Sequence, residues 1–169
     1  MTIHAMERVN YNTDELTTYH RNPRLGDIAA IARSLETNGQ YKPIVVNLGR
    51  KTGRPLEVLA GNHTLAAAKS LGWPTIAATT VDVDEQQAAR IVAADNRTAD
   101  LGGYDKTILL ELLDELEDLD GTGYDDDAVS ALYGTNTPAS EQQDEFPEFD
   151  PEQKTAHQCP KCGYEWNGS

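Results

Sequence analysis

The sequence predicts an α/β (α+β) domain with a small mixed sheet and three or four helices, followed by an acidic tail and a C-terminal zinc knuckle. Three observations carry this reading. Short β-branched runs alternate with segments whose apolar residues recur at helical spacing. The whole net charge of −14 lies in the last third: residues 1–106 hold 12 Lys and Arg against 12 Asp and Glu, and residues 107–169 hold 2 against 16. Both cysteines fall near the C-terminus, as Cys159-Pro160-Lys161-Cys162-Gly163. These shifts divide the chain into a core over 1–105, an acidic helical extension over 106–133, a disordered acidic linker over 134–156 and a knuckle-like tail over 157–169.

Composition removes several classes of protein. With 169 residues, 38% of them hydrophobic, the chain can bury one modest core. It has no apolar run long enough to span a membrane. Met1 to Asn12 lacks the apolar centre of a signal peptide, so a cytoplasmic location is expected. Two cysteines cannot build a disulfide framework. The acidic balance excludes a uniformly basic DNA-binding surface.

The elements follow in order. Met6 to Asn10 reads as a short strand, and Asp14 to Gly26 as loop broken by Pro23. Asp27 caps a helix in which Ile28, Ile31, Ala32 and Leu35 share a face, and Gly39 ends it. Pro43 to Leu48 and Leu56 to Ala60 form the arms of a β-hairpin around the turn-rich Gly49 to Pro55. Gly61-Asn62-His63-Thr64 opens a second helix, which Gly72 closes. Thr75 to Val83 is a strand, rich in Thr, Val and Ile. Asp84 caps a third helix reaching about Asn96, with a connector over 97–105. Lys106 to Leu119 is the clearest helix, with an apolar stripe of Ile108, Leu109, Leu112, Leu113, Leu116 and Leu119. Asp125 to Tyr133 forms a short last helix, and the triplet Asp125-Asp126-Asp127 reads as its cap and first turn rather than a metal site.

The strand-to-helix corner at Gly61 holds the most chemical information. Free N–H groups at a helix N-terminus favour an anion, and glycine lets a phosphate approach the backbone. Asn62, His63 and Thr64 add side-chain donors in the first turn, and His63 can also move a proton. The alternative is that Asn62 is a plain N-cap and His63 a surface residue; the corner alone leaves both readings open. Two basic clusters, Arg21 with Arg24 and Arg50-Lys51 with Arg54, would meet phosphate or simply be solvated loops.

Four local motifs occur in a telling order: Asn22-Pro23-Arg24, Asn38-Gly39 followed by Pro43 to Val46, the Gly61-Asn62-His63-Thr64-Leu65-Ala66-Ala67 corner, and Ala94 to Leu101 centred on Asn96-Arg97. By these the chain resembles the ParB/sulfiredoxin superfamily over roughly residues 5–118. Within it the likeness is to the small ParB-like nuclease-domain proteins of bacteriophages and plasmids. The resemblance implies that Gly61, Asn62, His63 and Thr64 hold nucleotide phosphates. It implies that Arg24 reaches the same phosphates, and that Asn96 and Arg97 close over the nucleotide or its metal. It also implies a ligand of the CTP, ATP or ADP class, with Mg²⁺ accompanying it, and a host bacterial cytoplasm if the chain is phage-encoded.

The departures qualify this. Asn62 stands at the sulfiredoxin cysteine position, which removes that chemistry's nucleophile. His63 and Thr64 replace the ParB corner arginines, which weakens the case for nucleotide hydrolysis. No helix-turn-helix domain follows, which argues against a partition clamp. A catalytic role, as a metal-dependent nuclease or NTPase, would draw on His63 and Asp95, with Glu57 nearby, but no carboxylate pair has diagnostic spacing.

In the tail, Cys159 and Cys162 have the spacing of half a zinc ribbon, with His157 as a third ligand. A second copy or a protein partner would complete a structural Zn²⁺ site; a vestigial or redox-active pair is the alternative. Three functions thus compete. The first is DNA binding or cleavage through a basic face of Arg21, Arg24, Arg50, Lys51 and Arg54. The second is a nucleotide-dependent switch or phosphotransferase with a closed pocket. The third is a non-catalytic adaptor using the acidic helix and knuckle.

Overall fold

The computed structural model describes residues 8–134, 157–158 and 160–166. Its elements are β1 (Arg8–Asn12), a 3-10 turn (Thr13–Glu15), β2 (Thr17–Thr18), α1 (Ile28–Asn38), β3 (Ile44–Asn47), β4 (Glu57–Ala60), α2 (Asn62–Ser70), β5 (Thr75–Val81), α3 (Glu85–Leu101), α4 (Lys106–Asp114) and α5 (Asp126–Gly134). The tail adds β6 (His157–Gln158) and β7 (Glu165–Trp166). The chain divides into two units, Met1–Asn136 and Thr137–Ser169.

In the first unit five strands form one mixed sheet in the order β1-β5-β3-β4-β2. β3 and β4 are the expected antiparallel hairpin, with an irregularity between Val45 and Val46. β5 lies parallel to β3 and antiparallel to β1. Both faces of the central strands are covered. Ile44, Val46 and Val58 face α1 and α2 in a cluster with Leu35, Leu65 and Ala68. Val45 and Leu59 face α3, with Ala88 and Val92. A strand buried on both sides must be apolar at successive positions, which is why Ile44-Val45-Val46 and Val58-Leu59 do not alternate with polar residues.

Three elements depart from the sequence expectation. β2 falls in a segment read as loop; its two residues pair with β4 but are too short for any periodicity. α3 runs to Leu101 and absorbs half of the expected connector, because the first breakers are Gly102 and Gly103. α4 stops at Asp114 instead of Leu119. Asp114, Glu115, Glu117 and Asp118 crowd its C-terminal end, where the helix dipole disfavours negative charge. Its buried side consists of Leu110 and Leu113, while Ile108, Leu112 and Leu116 of the expected stripe are exposed. The Asp125 carboxylate accepts from the Ala128 amide at 2.8 Å, so the aspartate triplet does begin a helix. The expected linker over 134–156 lies outside the described residues except for Gly134, which ends α5. In the second unit β6 and β7 pair antiparallel, His157 opposite Trp166.

Leu65, fully buried on α2, joins the corner helix to the sheet. Leu65→Ala should cost about 2–5 kcal/mol in chemical denaturation, with the transition midpoint falling accordingly.

Candidate functional site

The Gly61 corner is shaped by its neighbours. Gly61 is the N-cap of α2, at φ 87° and ψ 28°, in the left-handed region that favours glycine. A Cβ there would lie 2.5 Å from Ile44 Cγ2, so the backbone turns against the neighbouring strand with no room for a side chain. No side chain caps the first turn of α2. Asn62 follows the cap rather than forming it: its Oδ1 accepts a hydrogen bond from the Tyr19 amide at 2.7 Å, 8% exposed. That bond pins the start of the β2–α1 loop to the corner. The loop then folds over His63, whose ring sits so close to Gly26 that a Cβ on Gly26 would meet its Nδ1 at 2.7 Å.

The corner opens into a cleft of about 410 Å³. Gly61, Asn62, His63 and Thr64 line it, together with Arg24, Asp95 and Asn96. Ile31, Leu35, Tyr41, Pro43 and Val45 supply an apolar wall. Arg24 bridges from its loop to α3: Nη1 donates to the Asn96 carbonyl at 3.3 Å and to Asp100 Oδ1 at 3.2 Å. The remaining guanidinium N–H groups are available to an anion.

Beside the cleft, Glu57 of β4 is buried at 2% exposure. Its Oε1 accepts from the His20 amide at 3.1 Å and lies 2.8 Å from His20 Nδ1. Arg54 Nε donates to Glu57 Oε2 at 3.2 Å, and Arg54 also pairs with Glu85 at the start of α3. Burial pushes the Glu57 carboxyl up, but the His20 amide, the His20 ring and Arg54 together outweigh it and hold it below its ordinary value. Hydrogen bonding to Glu85 raises Arg54 against the lowering effect of burial, and Glu57 adds to the rise.

The ParB N-terminal domain family matches residues 6–97 of this chain. The chain belongs to that family. Over 94 residues it is 32% identical to the probable plasmid-partitioning protein ParB of Thermus thermophilus, a match covering 54% of this chain and 31% of that protein. This ParB-family chain therefore spans under a third of the curated relative it matches. Its fold is similar to the C-terminally truncated chromosome-partitioning protein ParB of Caulobacter crescentus, solved in complex with CTP-gamma-S. The TM-score is 0.54 at 16% identity, covering 76% of this chain and 71% of that one.

Within the ParB-family domain the cleft brings together seven residues singled out from the sequence: Arg24, Gly61, Asn62, His63, Thr64, Asp95 and Asn96. Arg97 is exposed and does not line it. Arg21, Arg50 and Lys51 are also exposed and outside the cleft. The expected continuous basic face is not free, since Arg54 is engaged by Glu57 and Glu85, and Arg24 by Asp100. Cys162 is exposed; Cys159 and the side chain of His157 lie outside the described residues. Among the described residues no group of three His, Cys, Asp or Glu could hold a metal. No described helix is long and apolar enough to cross a membrane. Sequence reasoning missed His20 and the anchoring role of Glu57. The one available signal was an acidic residue inside an otherwise apolar strand, Leu56-Glu57-Val58-Leu59.

Glu57→Gln should lower stability by about 1–3 kcal/mol at neutral pH, because charge-assisted bonds are lost from a buried site. Since the folded carboxyl titrates below its ordinary 4.5, its contribution is complete above that pH and fades as pH falls through the folded value. The deficit of the variant, measured by urea denaturation across pH, should therefore shrink in acid; a constant deficit would contradict this assignment.

Proposed function

We propose that this chain binds a nucleoside triphosphate of the CTP class in the Gly61 cleft and acts through it in DNA partition or related DNA metabolism. The observation that carries the reading is the uncapped N-terminus of α2 opening into a cleft that Ile31, Leu35, Pro43 and Val45 also line. About 410 Å³ lies within the range of roughly 300–1,000 Å³ that suits small-molecule sites. The complex of the Caulobacter relative with CTP-gamma-S supports the choice of ligand class.

The first-turn N–H groups of α2 and the Thr64 hydroxyl would hold phosphate oxygens. His63 would contribute a ring N–H, and Arg24 a charge-assisted bond. The wall of Ile31, Leu35 and Pro43 would receive the apolar faces of base and ribose. A Mg²⁺ arriving with the phosphates would find hard oxygen donors in Asp95 and Thr64, and would offset phosphate charge. Asn96 lines the cleft at the position the resemblance assigns to closure, whereas Arg97 would have to swing in. With His63 and Thr64 in place of arginines, binding with slow or no turnover is the reading favoured here. Direct DNA contact would fall to Arg21, Arg50 and Lys51, which have no carboxylate partner among the described residues.

Strand cleavage has less support. Glu57 is tied to His20 and Arg54, and among the described residues Asp95 is the single carboxylate lining the cleft. The Thermus relative supports a plasmid-type rather than a phage-type affiliation.

For the tail we propose the zinc knuckle. The β6–β7 pairing brackets the two cysteines, and Gly163 after Cys162 has φ 75°, the conformation such a turn needs. His157, Cys159 and Cys162 would leave one position for a second copy or a partner.

Thermal denaturation of the full chain with CTP, ATP, ADP and GTP, each with and without Mg²⁺, tests the cleft. A ligand at a hundred times its Kd should add about 2.7 kcal/mol. The shift should appear with CTP and be diminished by His63→Ala and by Arg24→Ala; no shift with any nucleotide would remove the reading. For the knuckle, the chain purified without chelator should carry zinc that Cys159→Ser abolishes. Equal metal content in the two proteins would refute it.

A further inference from the structure

We infer that α4 presents a docking face for a basic, amphipathic segment of a partner protein. This does not rest on the nucleotide reading, and the face lies outside the stretch matched by the ParB family. Although α4 buries Leu110 and Leu113, it leaves Ile108 62% and Leu112 57% exposed. Residues four apart share a helix face, so these two stand side by side. Leu116, just past the C-cap of the helix, is also exposed, and so is Tyr104, just before its N-cap. Single exposed apolar residues are ordinary, but a row on one helix is a recognition feature.

Charge decides what covers the row. Residues 107–134 contain nine Asp and Glu and no Lys or Arg. Glu111 and Glu115, both exposed, stand one turn beyond Ile108 and Leu112 and flank them. A second copy docking on this face would set the same carboxylates against each other, with no cation in that stretch to offset them. The segment 135–156 holds six Asp and Glu against one Lys, so its composition lacks the complementary charge. Nucleic acid is excluded by the same charge. A helix with an apolar stripe edged by Lys and Arg satisfies both features. It would also counter the carboxylates that crowd the unfavourable end of the α4 dipole.

The test uses the full chain and a labelled synthetic Leu/Lys helix of about five turns. A peptide of identical composition, scrambled so that its leucines surround the helix, is the control. Fluorescence anisotropy should show the amphipathic peptide binding about tenfold or more tightly than the scramble. The double variant Ile108→Ser with Leu112→Ser should lose that preference, and so should Glu111→Lys with Glu115→Lys. All four positions are exposed, and circular-dichroism melts check that the variants remain folded. On binding, amide exchange should slow across residues 105–118. Equal affinity for the two peptides would overturn the proposal, as would a preference unchanged in the serine variant. Concentration-dependent dimerisation that the serine variant abolishes would assign the face to a second copy and overturn it equally.

Discussion

The buried Glu57 carboxylate is the constraint on which the site's geometry depends. A charge at 2% exposure is tolerable only if its lone pairs are filled, and its partners come from separate parts of the chain. His20 begins the loop that carries Arg24, Arg54 belongs to the hairpin turn, and Arg54 in turn reaches Glu85 at the start of α3. A single residue of β4 thus ties together the loop and the helix that both contribute lining residues to the cleft. The Tyr19–Asn62 hydrogen bond acts beside it, fixing the same loop to the corner helix. Buried ion clusters are weak sources of net stability but strong sources of definition, because each unmet partner is costly.

The shape of the Gly61 corner follows from backbone geometry more than from side chains. β4 ends against β3, the chain must turn at once into α2, and Ile44 occupies the space a side chain on residue 61 would need. Glycine resolves the crowding and leaves the first turn of α2 without a capping side chain. An anion can then take the place of the cap. The ParB family match spans all the strands of this sheet and every residue proposed to bind the nucleotide.

Most of the fold was legible in the sequence because its elements carry local signals. The caps Asp27, Asp84 and Asp125, the breakers at Gly39 and Gly72, and the hairpin all fall where local chemistry places them. Two of the misses depend on distant partners, whereas the ends of α3 and α4 are set locally, by Gly102-Gly103 and by the carboxylates that crowd the end of α4. β2 exists only through its pairing with β4. The apolar run of α4 does not reveal which of its leucines meet the protein, and the buried pair proves to be Leu110 and Leu113. In the site, the corner and the Asn96 motif were readable, since short motifs lie on contiguous residues. The mutual engagement of His20, Arg54, Glu57 and Glu85 was not, because contacts across 31 and 37 positions leave no local pattern.

The Arg24 bridge bears on where the proposed nucleotide-binding module ends. The family match stops at Arg97, yet α3 continues to Leu101, and the carboxylate that holds Arg24 is Asp100. A protein truncated at the matched boundary would keep the Gly61 corner, the sheet and the Asn96 carbonyl but lose the acidic anchor. Arg24 would then be released into solvent with a full, uncompensated charge. On the proposed reading, such a fragment would hold an anion less selectively and with steeper salt dependence than the intact chain. The unit that holds Arg24 in place is therefore longer than the matched stretch by the last turn of one helix.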